Sequence, residues 1–194
     1  MNDFKEVTNY LEEQINEVET QLDLATLTIK YGLQSFRFGT STYLAGLFST
    51  LKLKENNTFY DLGSGYGNII LYGASLFPYV NFVGVEIVKE RNDVCNALIK
   101  KLELKNITTH CKDFFTVDFT DGDVFYLYNP LFESQYKKLL KKLKALAYAK
   151  PITIIAESKC DVFDAVPWLE NYQIIATEID IRKKMKFYKS VIIS

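Results

Sequence analysis

Histidine and cysteine are scarce in this chain. Its 194 residues include one histidine, His110, and three cysteines, Cys95, Cys111 and Cys160, which lie far apart and form no CxxC pair. Zinc sites and disulfide frameworks draw on closely spaced sets of these residues, so neither is expected and no metal is assigned. A long uncharged apolar run is also missing, which predicts no membrane span. Acidic rather than basic residues follow Met1, so no signal peptide is expected and the cytoplasm is the expected location. The formal net charge is only −1, which excludes bulk electrostatics as the means of holding a polyanion. Internal repeats and low-complexity tracts are absent.

What is present is apolar and aromatic. Hydrophobic residues make up 48% and aromatics 14%, enough for a folded domain with a substantial core and a helical extension. The near-zero charge hides an asymmetry. Residues 1–24 carry seven acidic side chains against one lysine, which leaves the remainder at a net +5. A solvated helix face is the plain reading of the acidic stretch. Along it, Phe4, Val7, Leu11, Ile15, Val18, Leu22, Ala25 and Ile29 recur at helical spacing. That stripe predicts an amphipathic helix or helix pair packed on the domain, with a homodimer seam as the alternative. A short helix fits Ser41 to Leu51.

After Asn57 the pattern alternates. Strands read as "TFYDL", "NFVGVEI", "ITTHC", "DVFYLYN", "PITIIAES", "YQIIATEI" and "FYKSVII". Helices fit Gly67–Phe77, Lys89–Leu104, Phe132–Ala149 and, more weakly, Val162–Asn171. Apolar strands joined by helical crossovers predict an α/β fold with a mostly parallel, Rossmann-like seven-stranded sheet and helices on both faces. Only "DIRKKMK" separates the last two strands, so the final strand should run antiparallel. Residues 1–50 then form an N-terminal helical extension and 51–194 the α/β domain.

Chemistry concentrates at "DLGSGYGN", residues 61–68. Gly63, Gly65 and Gly67 let the main chain turn tightly and approach a ligand. A dinucleotide turn places its third glycine where Asn68 stands, and Asp61 would repel phosphate while attracting a cation. The next strand ends at Glu86, an acidic residue able to accept both hydroxyls of a ribose. The third strand leads to Asp113 and Phe114, a carboxylate for an adenine amine and a ring for its face. Adenosine joined to a positive charge, without phosphates, describes S-adenosylmethionine. Each acidic residue taken alone is also a common helix cap.

Taken together, these motifs resemble the class I (Rossmann-like) S-adenosylmethionine-dependent methyltransferases over about residues 36–194. In that fold the loop after the fourth strand faces the transferable methyl, which makes Asn129, Pro130, Leu131 and Phe132 the acceptor end. "FGTSTYLAGLFSTLKLKENNTFYDLGSGYGNIIL", "GVEIVKERNDVCNAL", "KDFF" and "VFYLYNPLFE" are further similar to the disruptor-of-telomeric-silencing (Dot) type of protein lysine methyltransferases and their bacterial relatives. That resemblance implies a cofactor role for Gly39, Thr40 and Ser41, cofactor contact for Asn68, and Asn129 as the residue that orients the acceptor, with Pro130 and Phe132 beside it. Thr40 stands where the family has an acidic residue, and the basic nucleosome-binding extension is absent, which points to a lysine outside histones. "NPLF" also resembles the N-P-P-[FY] enzymes that methylate planar amino nitrogens, with Phe132 as the stacking ring. A nucleic-acid acceptor would then rely on Lys137, Lys138, Lys141, Lys142, Lys144, Arg182, Lys183, Lys184 and Lys186. The first five also read as the solvated face of an ordinary amphipathic helix, given Leu139, Leu140, Leu143 and Leu146. A degenerate fold acting as an interaction module is the non-enzymatic alternative.

Overall fold

The computed structural model describes residues 2–31, 43–176 and 184–191. Helix α1 (Asn2–Gln21) and α2 (Leu24–Tyr31) precede a short α3 (Leu44–Thr50). The α/β part follows as β1 (Thr58–Leu62), α4 (Asn68–Leu76), β2 (Asn81–Glu86), α5 (Lys89–Lys101), β3 (Ile107–Cys111) and β4 (Val124–Tyr128). It closes with α6 (Glu133–Ala149), β5 (Thr153–Glu157), α7 (Asp161–Asp164), β6 (Leu169–Ala176) and β7 (Lys184–Ser190). A 3₁₀ turn, Phe114–Thr116, lies between β3 and β4.

Sheet order is β3-β2-β1-β4-β5-β7-β6. The first five strands pair in parallel, and β7 inserts antiparallel between β5 and β6. The short connection between the last two strands dictates this, because a hairpin can only reverse direction. Alternation along β1 sorts the two faces. Phe59 packs with Leu47 and Phe48 of α3 and Ile70 and Ala74 of α4, whereas Tyr60 and Leu62 join the core under α6. Asp61 shares the face of Phe59, so the strand carries a carboxylate to the end of an otherwise apolar layer.

Boundaries differ from the sequence reading where local chemistry intervenes. Of the two expected forms, the N-terminal stripe takes that of a helix pair. Asp23 caps α2 by accepting from the Thr26 amide (3.0 Å) and the Thr26 hydroxyl (2.6 Å), which breaks the helix. Leu11, Ile15 and Val18 pack against Tyr66, Leu71 and Leu98, so α1 docks on the domain. Ala25 and Ile29 do not join them, and Ile29 is 86% exposed. Helix α5 stops at Lys101 rather than Leu104, because Glu103 takes a left-handed backbone (φ 54°). The helix expected over Val162–Asn171 shrinks to α7 because Pro167 forces Val166 out of helical geometry, and β6 then starts at Leu169. The short helix expected from Ser41 runs from Leu44, and Ser41 itself lies outside the described residues. Among the described residues, no helix is long and apolar enough to cross a membrane.

The α4–β2 contact is close enough to test. A Cβ at Gly73 would meet Phe82 Cε1 at 2.4 Å and Phe48 Cζ at 2.5 Å. Overpacking costs about 1–3 kcal/mol, against about 1 kcal/mol of helix propensity gained by alanine. Gly73→Ala should therefore lower the urea midpoint at unchanged slope; an increase would contradict the packing.

Candidate functional site

Every sequence-predicted site residue that the structure describes sits at the carboxyl edge of the sheet. There the chain leaves β1 through three glycines in left-handed geometry, Gly63 (φ 89°), Gly65 (φ 54°) and Gly67 (φ 83°). The amides of Gly63 and Ser64 both donate to the Val85 carbonyl, at 2.9 and 3.0 Å, which folds the turn back over β2. A Cβ at Gly67 would fall 2.3 Å from Cys95 Sγ on α5, and one at Gly63 would fall 2.8 Å from Pro130 Cβ. Glycine is thus required twice, by backbone angle and by space. The second contact joins the turn after β1 to the loop after β4.

Glu86 ends β2 in burial. Its Oε2 accepts from the Gly65 amide and its Oε1 from the Val88 amide, both at 2.8 Å. The carboxylate therefore fixes the glycine turn, and each oxygen retains a further lone pair for a ligand. Burial raises the Glu86 carboxyl above its ordinary range, against the pull of the Val88 amide, Arg91 and the Gly65 amide. Asp61, 2% exposed, is pushed well above the ordinary range by burial, then by the charges of Glu86 and Glu157. Glu157, at the end of β5, is a third buried carboxylate and accepts from the Tyr126 hydroxyl at 2.6 Å. Sequence reasoning missed it, although an acidic residue closing the apolar strand "TIIAE" was a usable signal.

Asn68 opens α4 beside this cluster. Its Oδ1 is buried and accepts no hydrogen bond. On the far side, Asp113 caps the 3₁₀ turn, its Oδ1 accepting from the Phe115 amide at 2.8 Å, and Phe114 is largely buried with its ring 4.7 Å from that of Phe115. The cap reading of Asp113 therefore holds, and it leaves Oδ2 available. Asn129 follows β4 with a left-handed backbone (φ 46°), exposed, with the Tyr136 hydroxyl 3.5 Å from its Oδ1. Ser158 (φ 62°) and Lys159 (φ 47°) take the same strained geometry just after β5. Such backbone concentrates at functional edges. Gly39, Thr40 and Ser41 lie outside the described residues, as do Arg182 and Lys183.

Burial, with Asp61 and Glu86 nearby, pushes the Cys95 thiol up to about 12, so it is no nucleophile at neutral pH. His110 lies on β3, and burial together with Lys112 lowers its pKa. Among the described residues no group of three or more His, Cys, Asp and Glu is arranged to hold a metal.

Residues 35–155 match the profile of the family described as "Histone methylation protein DOT1". The chain belongs to this family. Its family and fold are those of the class I S-adenosylmethionine-dependent methyltransferases. Curated relatives include a tRNA (guanine-N(7)-)-methyltransferase of Staphylococcus haemolyticus, 34% identical over 43% of this chain and 40% of that protein. Another is the (S)-coclaurine N-methyltransferase of Papaver somniferum, 27% identical over 62% and 37%. The chain thus spans less than half the length of these relatives. An RNA methyltransferase of Salinibacter ruber, solved in complex with S-adenosyl-L-homocysteine, aligns with a TM-score of 0.61 and 19% identity over 79% of this chain and 94% of that one. A S-adenosylmethionine-dependent O-methyltransferase of Thermotoga maritima aligns at 0.60 and 15% over 81% and 68%. At such identities the likeness establishes the Rossmann-like fold.

The DOT1-family site fits a cationic adenosine ligand on its own geometry. An orphaned buried acceptor, Asn68 Oδ1, directly follows a turn where a Cβ has no room at Gly63 or Gly67; buried Asp61 precedes that turn, and buried Glu86 binds its Gly65 amide. Without a counter-charge those carboxylates cost stability. For a group raised in the folded state, stability is full below the unfolded carboxylate range and is lost as pH rises through the folded value. Asp61→Asn should therefore raise the neutral-pH Tm of the ligand-free protein and flatten its decline with pH, as read by scanning fluorimetry. An unchanged pH profile would mean that Asp61 is not buried as an ionisable group.

Proposed function

We propose that this chain transfers the methyl group of S-adenosylmethionine to a nitrogen atom, and that the acceptor is a protein lysine side chain. The observation that carries the donor assignment is the coincidence of the unpartnered Asn68 Oδ1 with the glycine turn and the Asp61–Glu86–Glu157 cluster. In this reading Asp61, Asn68 and the turn hold the amino-acid end, Glu86 the ribose, and Asp113 with Phe114 the adenine. Asp61 and its neighbours favour a cation where phosphates would be repelled. When bound, S-adenosylmethionine supplies a methyl carbon already attached to a good leaving group, sulfonium sulfur.

The protein's work is then orientation and desolvation. A lysine nitrogen must be neutral to attack, and transfer out of water favours the neutral amine. In this reading Asn129 Oδ1 accepts a hydrogen bond from that amine and aims the nitrogen's remaining lone pair. Pro130 and Phe132 flank the entrance. His110, the chain's one histidine, lies on β3 rather than in this loop, which suits an amine better than a hydroxyl.

A nucleic-acid base nitrogen is the second reading, favoured by the 34% identity to the tRNA methyltransferase. Against it, the basic face of α6 is partly committed. Lys142 Nζ donates to the Phe115 and Val117 carbonyls, at 3.3 and 2.5 Å, and lies 4.1 Å from the Phe119 ring centre. Lys138 Nζ lies 4.1 Å from that of Phe115.

Labelled methyl transfer from S-adenosylmethionine to a cell lysate separates the readings. Label lost to protease supports lysine, label lost to nuclease supports a base, and binding without transfer would leave a cofactor-binding interaction module. Asn129→Gly keeps the backbone geometry and removes only the amide. It should lower kcat by about 10–100-fold with S-adenosylhomocysteine affinity unchanged, and full turnover would end the assignment.

A further inference from the structure

The acidic N-terminal helix reaches the core of the site through Glu19. Glu19, near the end of α1, accepts at Oε1 from the Tyr66 hydroxyl (2.7 Å) and from Arg91 Nε (2.8 Å), and at Oε2 from Arg91 Nη2 (3.0 Å). Tyr66 is the residue between Gly65 and Gly67, and its side chain is fully buried. Arg91 lies in the first turn of α5, 5% exposed, with its guanidinium carbon 6.0 Å from the Tyr66 ring centre. One carboxylate therefore grips both walls of the cradle, the glycine turn and the head of α5.

The grip bears on the site in two ways. Tyr66 has a Gly on each side in left-handed geometry, so its own backbone is among the least self-determined in the chain. Anchoring its hydroxyl fixes the segment whose Gly65 amide meets Glu86. Arg91 also stabilises the charged form of Glu86, and Glu19 holds Arg91 in a bidentate pair that fixes its direction. Leu11, Ile15 and Val18 supply the apolar contact that keeps α1 in place. Acidic neighbours such as Glu12, Glu13 and Glu17 are exposed, so charge on α1 alone does not account for Glu19.

We infer that Glu19 is a positioning residue that couples docking of α1 to binding of the methyl donor, so that the N-terminal helix is part of the cofactor site rather than an appendage. Only the turn held by Glu19 is competent to bind. A turn released from it lowers apparent affinity by the fraction of time it is out of place. The affinity half of this proposal rests on the methyl-donor reading; the ordering half does not.

Two measurements on the full chain test it. Hydrogen exchange reports the amides of Gly65, Tyr66, Gly67 and Asn68, and calorimetry reports S-adenosylhomocysteine affinity. Glu19→Ala should speed exchange in that turn and weaken affinity by about fivefold or more. Tyr66→Phe, which removes only a hydroxyl, should shift both in the same direction by less. Glu19→Gln, which keeps an acceptor for Tyr66 and Arg91, should fall between wild type and Glu19→Ala. Val166→Ala, a core truncation distant in sequence and outside the site, should lower Tm while leaving both readouts at wild-type values. Unchanged turn exchange in Glu19→Ala, or an equal affinity loss in Val166→Ala, overturns the coupling. If wild type fails to bind S-adenosylhomocysteine, the donor reading falls, and turn exchange alone still decides whether Glu19 holds the cradle.

Discussion

The site depends on a carboxylate that never leaves the protein's own backbone. Glu86 holds the Gly65 amide with one oxygen and the Val88 amide with the other, closing the turn after β1 onto the start of α5. Charge-assisted bonds of this kind are short and directional, and inside a protein they are strong. Three left-handed glycines make the turn possible, but glycine supplies freedom rather than form. Form comes from Glu86, from the paired amides on the Val85 carbonyl, and from the Glu19–Tyr66–Arg91 contacts behind them. Remove the anchoring and the same glycines become the most mobile part of the edge.

That arrangement has a thermodynamic cost elsewhere. Asp61, Glu86 and Glu157 are all buried at the ends of strands, and their mutual repulsion adds to the loss of water. Among the described residues five non-glycines take positive φ, and three of them, Asn129, Ser158 and Lys159, lie in the loops after β4 and β5. Neither feature helps the fold. The large apolar layers around Phe59, Phe82 and Phe48 on one face, and Tyr60, Phe125 and Leu139 on the other, are what allow it. A cation seated among the carboxylates relieves the first cost, so ligand binding and stability are linked by sign.

Much of this was legible in the sequence because it is local. The parallel strands appear as apolar runs, and the hairpin as a connection too short to cross over. Position 67 rather than 68 for the third glycine, together with Asp61 before it, separated a cationic ligand from a pyrophosphate. What escaped is of two kinds. Pro167 cutting short α7 was a local signal outweighed by hydrophobic periodicity, which reads continuity across a break. Glu19 and Arg91 are 72 positions apart, and no spacing rule relates an acid on a solvated helix to an arginine two elements past the glycine turn. The acidic stretch read as a charged face is just that at Glu12, Glu13 and Glu17; Glu19 differs only because tertiary packing turns it inward.

The same distinction explains why the donor is better determined than the acceptor. A methyl donor of fixed structure is met by backbone amides, strand-end carboxylates and a glycine cradle, all set by the geometry of a sheet edge. On the proposed reading an acceptor meets exposed side chains on loops, and Asn129 has a left-handed backbone and a hydroxyl beside its amide oxygen. Yet the two are not independent. Pro130, one residue on, packs so tightly on Gly63 that a methyl group would not fit between them. A shift of the donor turn is therefore passed through Pro130 to Asn129 by direct contact. If the proposed donor and acceptor roles hold, the glycine at position 63 serves both ends of the reaction, and changes in the acceptor loop constrain the donor turn with it.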